Sequence, residues 1–262
     1  MESSVYDFTP GSSHVLVSIP HSGTRLPAAI RQQLTPSARA LPDTDWHLDR
    51  LYDFVSDFGA ATLVAEHSRY VVDLNRPPDD TRLYSTTTTG LFPRRQFDGS
   101  DIYASDPPSP AEERDRLAEF YEPYHAKIQE TLKATKARHG FAVLFDAHSI
   151  RSVVPRFFEG TLPDLNVGTN DGKSADPSLV REILAVCEHS AFSTVVNGRF
   201  KGGYITRHYG QPDQHVHAIQ LEMPWRHYMN ENGDFAFHEE RAQSLIPTLR
   251  AWVAALTRWR PR

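Results

Sequence analysis

Three short apolar runs in this chain lead directly into ionisable residues. His14–Ile19 is followed by Pro20-His21-Ser22-Gly23, Phe141–Phe145 by Asp146-Ala147-His148-Ser149, and Val216–Leu221 by Glu222. Compact apolar runs of this length read as strands buried on both faces. Two further stretches, Ala61–Ala65 and Arg69–Val72, are β-branched and apolar and also read as strands, with Asp73-Leu74-Asn75-Arg76-Pro77-Pro78 closing the second. Thr194–Asn197 reads as another.

Between these runs the apolar residues recur at helical spacing. Asp45–Phe58 places Leu48, Leu51, Tyr52, Val55 and Phe58 on one face, with Gly59 as a stop. Ser109-Pro110-Ala111-Glu112 has the form of a capping box opening a helix toward Arg138, which Pro123 should kink. Asp176-Pro177 opens a helix through about Ser190, and Glu239–Thr257 reads as the last. Strands alternating with helices build an α/β sheet with helices on both faces. Residues 77–110 and 150–176 remain as long irregular excursions, the first carrying the run Thr86–Thr89 and several prolines; loops this long are usually functional or mobile. No repeat or linker interrupts the 262 residues, which are expected to form a single domain, 1–262.

Composition narrows the function. A formal charge of −5 argues against a nonspecific nucleic-acid surface. No apolar run approaches the ~18–20 residues of a membrane helix, and the stretch MESSVYDFTPGSSH lacks the basic-then-apolar pattern of a signal peptide. The lone cysteine, Cys187, permits no intrachain disulfide, and its apolar helical setting marks it as core rather than nucleophile. A cytoplasmic location is expected. Serine-hydrolase, phosphate-loop and Cys-x-x-Cys motifs are absent.

The polar clusters carry the chemistry, because ligands of open α/β sheets bind beyond the carboxyl ends of the strands. His21 and His148 each follow a strand, where a plain loop histidine bonded to backbone is the alternative to a metal ligand. Asp146 can orient a neighbouring histidine. Asp43 and Asp45 open a helix, where acids cap as readily as they ligate. Two histidines and a carboxylate are a common catalytic zinc set. Glu222 at a strand end is either a general base or an edge acid facing water, and burial of an unpaired acid would favour function. Arg69, Arg76, Arg151 and Arg207 also fall near strand ends; convergence of several on one cleft would suit a substrate with two carboxylates, whereas surface ion pairs are the plain reading. Gly202-Gly203 suggests a tight turn near the site, and Trp225 a core or pocket wall.

Taken in order, these segments resemble the N-formylglutamate amidohydrolase family. The similar stretches are residues 18–23, 41–47, 68–77, 146–151, 197–210 and 220–222, from Ser-Ile-Pro-His-Ser-Gly to Gln-Leu-Glu. The resemblance implies a single-domain phosphorylase/hydrolase-like fold of the zinc-carboxypeptidase kind. It implies a divalent metal, Zn²⁺ first, held by His21, His148 and a carboxylate. The wider group often takes its second ligand from His-x-x-Glu. Here Ser22, Gly23 and Thr24 follow His21, so that ligand comes from elsewhere: Asp45 is preferred and Asp43 is the rival. It further implies Glu222 as base, Arg69 near the scissile group, and Asn75, Arg76 and Arg207 binding the carboxylates of a small dicarboxylate substrate. The implied reaction is hydrolysis of N-formyl-L-glutamate to formate and L-glutamate in histidine degradation. Two rivals stand beside it: a related zinc amidohydrolase for another N-acyl amino acid, and a non-catalytic binder of an acidic metabolite. A metal-free hydrolase would need an activated nucleophile that the sequence does not offer.

Overall fold

The structure is a computed structural model that describes residues 4–83 and 88–261. Met1–Ser3 of the N-terminal stretch and Thr86 and Thr87 of the threonine run lie outside the described residues. In chain order the elements are β1 Tyr6–Thr9, β2 Val15–Ile19, α1 Ala28–Gln33, α2 Leu48–Leu51, β3 Ala61–Ala65, α3 Pro110–Arg116, α4 Glu122–His139, β4 Ala142–Ile150, β5 Leu165–Gly168, α5 Pro177–Glu188, β6 Thr194–Val196, α6 Tyr204–Tyr209, β7 Val216–Pro224 and α7 Glu239–Arg258. The strands form one seven-stranded sheet in the order β1-β3-β2-β4-β7-β5-β6. It is mixed: β3, β2, β4 and β7 run parallel, while β1 and β5 pair antiparallel with β3 and β7. Among the described residues no helix is long and apolar enough to cross a membrane.

Strand alternation explains the two-sided packing. Val15, Val17 and Ile19 of β2 and Val143, Phe145 and Ala147 of β4 join a core under α2, α5 and α7, built on Leu179, Leu249 and Trp252. Leu16 of β2 and Ala142 and Leu144 of β4 face the opposite way, into a second core with Tyr124, Ile128 and Ile205 from α4 and α6. Helices therefore cover both faces, as the periodicity requires. Cys187 and Trp225 are buried in the first core.

Several expected elements differ. The helix expected from Asp45 begins only at Leu48: the Asp45 amide is spent on the His21 carbonyl at 3.0 Å, and His47 is left-handed with φ 62°. Beyond α2 the chain tightens to a 3₁₀ helix over Asp53–Phe58. Arg69–Val72 is a turn, not a strand; Val71 N–H donates to Ser68 O, and the buried Arg116 takes the Val71 carbonyl at 3.2 Å. The kink expected at Pro123 is a π-helical turn, Leu117–Tyr121, immediately before it. Loop 150–176 contains β5, a strand of four residues whose sequence, Leu-Asn-Val-Gly, is poor in strand formers.

Candidate metal and substrate site

The candidate site grows from a switch in character along one face of two neighbouring strands. On β4, Ala142 and Leu144 give way to Asp146 and His148; on β7, Ala218 gives way to Gln220 and Glu222. All share one parity, so one sheet face turns from core to polar site while the other stays apolar through Ala147, Leu221 and Met223. The strands run on to Ile150 and Pro224, so Asp146, His148 and Glu222 belong to the ladder itself rather than to loops beyond it.

His21 follows β2 and meets this face. Its Nε2 donates to Asp73 Oδ1 at 2.7 Å, while Nδ1 points toward Asp45 Oδ2 at 3.9 Å. His148 is arranged the same way: Nδ1 lies 3.2 Å from Asp45 Oδ2 and Nε2 lies 3.0 Å from Asp146 Oδ2. Each imidazole is thus backed by a buried carboxylate, the support typical of a metal-ligating histidine. Ligand atoms of His21, Asp45 and His148 all fall within 4.8 Å of one another, and the three residues are buried. Asp43 is used elsewhere: its Oδ2 accepts from the Tyr70 hydroxyl at 2.6 Å and the Phe97 amide at 3.0 Å. Burial lifts the Asp43 carboxyl to about 6.

Charge is concentrated here. Burial alone would raise the Asp73 carboxyl, but Arg69, His21 and Arg76 hold it well below the usual range. Burial would discharge the His148 ring, yet Asp146 and Asp45 keep it well above the ordinary histidine value. His21 shifts down, through burial and the nearby Arg69 charge. Burial pushes Glu222 up to about 8, with His148 and Arg69 opposing and Asp45 and Asp146 reinforcing.

These groups open into one cleft of about 530 Å³ of empty space, part of it open to solvent. Its walls include His21, Asp45, His148, Glu222, Arg69, Asn75 and Arg76. Arg69 donates to Asp73 Oδ2 at 2.6 Å, and its buried Nε has no hydrogen-bond partner among the described residues. Asn75 is wedged in place: Nδ2 reaches His148 Nε2 and Asp146 Oδ2 at 2.8 and 3.1 Å, and Oδ1 accepts from Ile205 N–H at 2.8 Å. Gly203 packs so closely that a Cβ there would sit 2.4 Å from Asn75 Nδ2, and Gly202 takes φ 112° to make the turn. Arg76 lines the cleft with its guanidinium steered by Thr88 and Thr89.

Two of the sequence-picked arginines sit apart from it. Arg207, on α6, donates from Nε to the Gly202 carbonyl, and Arg151 stacks over Trp225 and Phe235; neither lines the cleft. Sequence reasoning passed over Arg199, Gln220, Phe97, Phe157 and Phe200, which do. Arg199, Phe200 and Gln220 lie inside the stretches that carry the resemblance, so that signal was available; Phe97 and Phe157 lie in irregular segments without one.

Known proteins share this chain's sequence family and its fold. The sequence model of the family described as N-formylglutamate amidohydrolase matches residues 13–229. A protein of Pseudomonas aeruginosa named N-formylglutamate deformylase is 53% identical over 257 residues, covering 97% of each chain. One of the same name from Pseudomonas putida is 46% identical, covering 97% of this chain and 96% of its own. The fold is shared with a solved N-formylglutamate amidohydrolase from Ralstonia eutropha, at TM-score 0.82 and 24% identity over 95% of this chain and 96% of that one. It is shared also with a gene product of Agrobacterium tumefaciens, at TM-score 0.77 and 18% identity over 97% and 96%. The chain belongs to the N-formylglutamate amidohydrolase family.

Proposed function

We propose that this protein hydrolyses N-formyl-L-glutamate to formate and L-glutamate, as a metal-dependent amidohydrolase acting through one catalytic domain of zinc-carboxypeptidase kind. The observation that carries the reading is the group His21, Asp45 and His148, buried at the floor of a cleft that also presents Glu222 and arginines. The donor set fits a divalent ion: two imidazole nitrogens and one carboxylate oxygen, each imidazole backed by Asp73 or Asp146. The pull that Asp45 and Asp146 exert on a proton at His148 would act equally on a cation. Zn²⁺ is the first choice. Bound there, it would supply Lewis acidity and positive charge, lowering the pKa of a nearby water and of Glu222.

The chain's own groups do the rest. Glu222 takes a proton from the attacking water and passes it to the amide nitrogen as the C–N bond breaks. Arg69, which lines the cleft, offers a hydrogen bond to the oxyanion that forms on the formyl carbon. Arg76 holds a substrate carboxylate; Asn75 and Arg207 are assigned with it, Asn75 by exchanging one of its present Nδ2 partners for substrate and Arg207 from outside the cleft wall through the Gly202 carbonyl it grips. A reaction with these products belongs to histidine breakdown, in the cytoplasm.

A substrate panel tests the assignment. N-formyl-L-glutamate should turn over far faster than N-acetyl-L-glutamate or N-formyl-L-leucine. Faster turnover of the acetyl compound would move the substrate to another N-acyl amino acid. Binding of the formyl compound without formate release would leave a non-catalytic binder.

A further inference from the structure

Leu74, Asn75 and Arg76 are consecutive, and each main-chain carbonyl is held by a partner from outside the strands. His125 Nε2 donates to Leu74 O at 2.9 Å. The Arg76 guanidinium donates to Asn75 O at 2.8 Å, and Tyr204 N–H reaches the same oxygen at 3.3 Å. The Tyr121 hydroxyl donates to Arg76 O at 2.9 Å. Tyr121 and His125 are one helical turn apart and stack, with ring centroids 4.1 Å apart and planes at 30°. Tyr209 lies with its ring centroid 5.9 Å from that of His125 and its plane at 17° to it, and its hydroxyl meets Nδ1 at 2.9 Å. All three rings are buried. None of them lines the cleft, so none can touch substrate.

The helix is distorted just where this array begins. The π-turn Leu117–Tyr121 is closed by Glu122 N–H donating to Leu117 O, and it ends on Tyr121 itself. A π-turn inserts a residue into the helical phase and is commonly kept at functional sites. Here it sets the direction of Tyr121 relative to α3, while Tyr121 and His125 keep ordinary helical spacing with each other. Apolar rings of equal size would pack as well but would leave the Leu74 and Arg76 carbonyls without these donors, so the hydroxyl and the imidazole serve to hold this segment.

We infer that Tyr121 and His125 are positioning residues: through the π-turn, α4 clamps the Leu74–Arg76 backbone and so fixes the Arg76 guanidinium in the cleft. The inference rests on reading Arg76 as a substrate-carboxylate anchor. Tyr121 holds the carbonyl of Arg76 itself, so losing its hydroxyl acts on binding rather than on the chemistry around His21 and Glu222. Burial lowers the His125 pKa to about 3, so the ring is neutral near pH 7, donating from Nε2 to Leu74 O and accepting at Nδ1 from the Tyr209 hydroxyl.

The test is steady-state kinetics of full-length protein with N-formyl-L-glutamate, for Tyr121→Phe, Arg76→Ala and the double variant. Tyr121→Phe keeps the ring and loses one neutral hydrogen bond, so KM should rise roughly 3- to 10-fold with kcat within about twofold. Metal content should not change. In the Arg76→Ala background the same substitution should add almost nothing. His125→Gln, which removes the stacked ring, should repeat the KM-selective loss if Tyr121→Phe fails to fold. Ile128→Val loosens packing on the same helix and should leave KM unchanged. An unaltered KM in Tyr121→Phe, or an equal rise with and without Arg76, overturns the clamp. If Arg76→Ala itself leaves KM unchanged, the anchor reading falls and the clamp with it, and that single variant identifies the failure.

Discussion

His148 and Glu222 are partners in the parallel ladder between β4 and β7, so their side chains leave the sheet on the same face. One strand pair thus delivers a candidate ligand and the candidate base side by side. Backbone hydrogen bonding, not loop conformation, sets their separation. Asn166 holds the Glu222 carbonyl at 3.0 Å from the other neighbouring strand.

Glu222→Gln should therefore fold normally and keep its metal, because the ladder is untouched and Gln is isosteric. Its turnover should fall ~10²–10⁴-fold, the scale of general acid–base catalysis. Measured kcat on metal-loaded protein checks this; near-wild-type turnover would remove Glu222 as the base.

The two aspartates before α2 should behave differently. Asp45→Asn should lower divalent-metal occupancy, measured by elemental analysis of the folded protein. Asp43→Asn should leave occupancy intact, since Asp43 serves Tyr70 and the Phe97 amide. The opposite pattern would exchange their roles.

The arginines provide a second contrast. Arg76→Ala should cost ~1.5–3 kcal/mol of substrate binding, seen as a higher KM, if it makes a charged hydrogen bond. Arg207→Ala should act more weakly, because Arg207 does not line the cleft. A larger effect from Arg207 would place it on the substrate directly.

Stability should fall in acid through His125. Its folded pKa is lowered to about 3 by burial, against about 6.5 in an unfolded chain. Between those values the unfolded state binds the extra proton, so stability is full above pH 6.5 and drains as pH falls toward 3. At pH 5 the loss from this one group is about 2 kcal/mol relative to pH 7. Denaturant unfolding at both pH values, compared with His125→Gln, measures it. An equal pH dependence in the variant would assign the loss to other groups.

Much of this was legible in the sequence, and what was missed has physical causes. The alternation of apolar strands and helices announced a sheet covered on both faces, because burying two faces forces continuous apolar runs. The histidines were visible for the same reason: they interrupt those runs. Strand ends were misjudged at Phe145 and Leu221 because Asp146, His148 and Glu222 look like loop residues until their shared face is seen. Arg69–Val72 looked like a strand by β-branched composition, yet its carbonyls are satisfied by Arg116 from a distant helix. No local pattern encodes that contact. Choosing between Asp43 and Asp45 likewise required the loop around Phe97 and Tyr70. Arg199 and the phenylalanine walls reach the cleft from irregular segments, where periodicity carries no information.

Formate release from N-formyl-L-glutamate, followed on protein stripped by a chelator and then resupplied with Zn²⁺, tests the central claim most directly. The site built from His21, Asp45, His148 and Glu222 predicts that stripping abolishes release and that Zn²⁺ restores it. Undiminished release from fully stripped, folded protein would contradict a metal-dependent reaction. No release from folded, zinc-loaded protein would contradict the substrate.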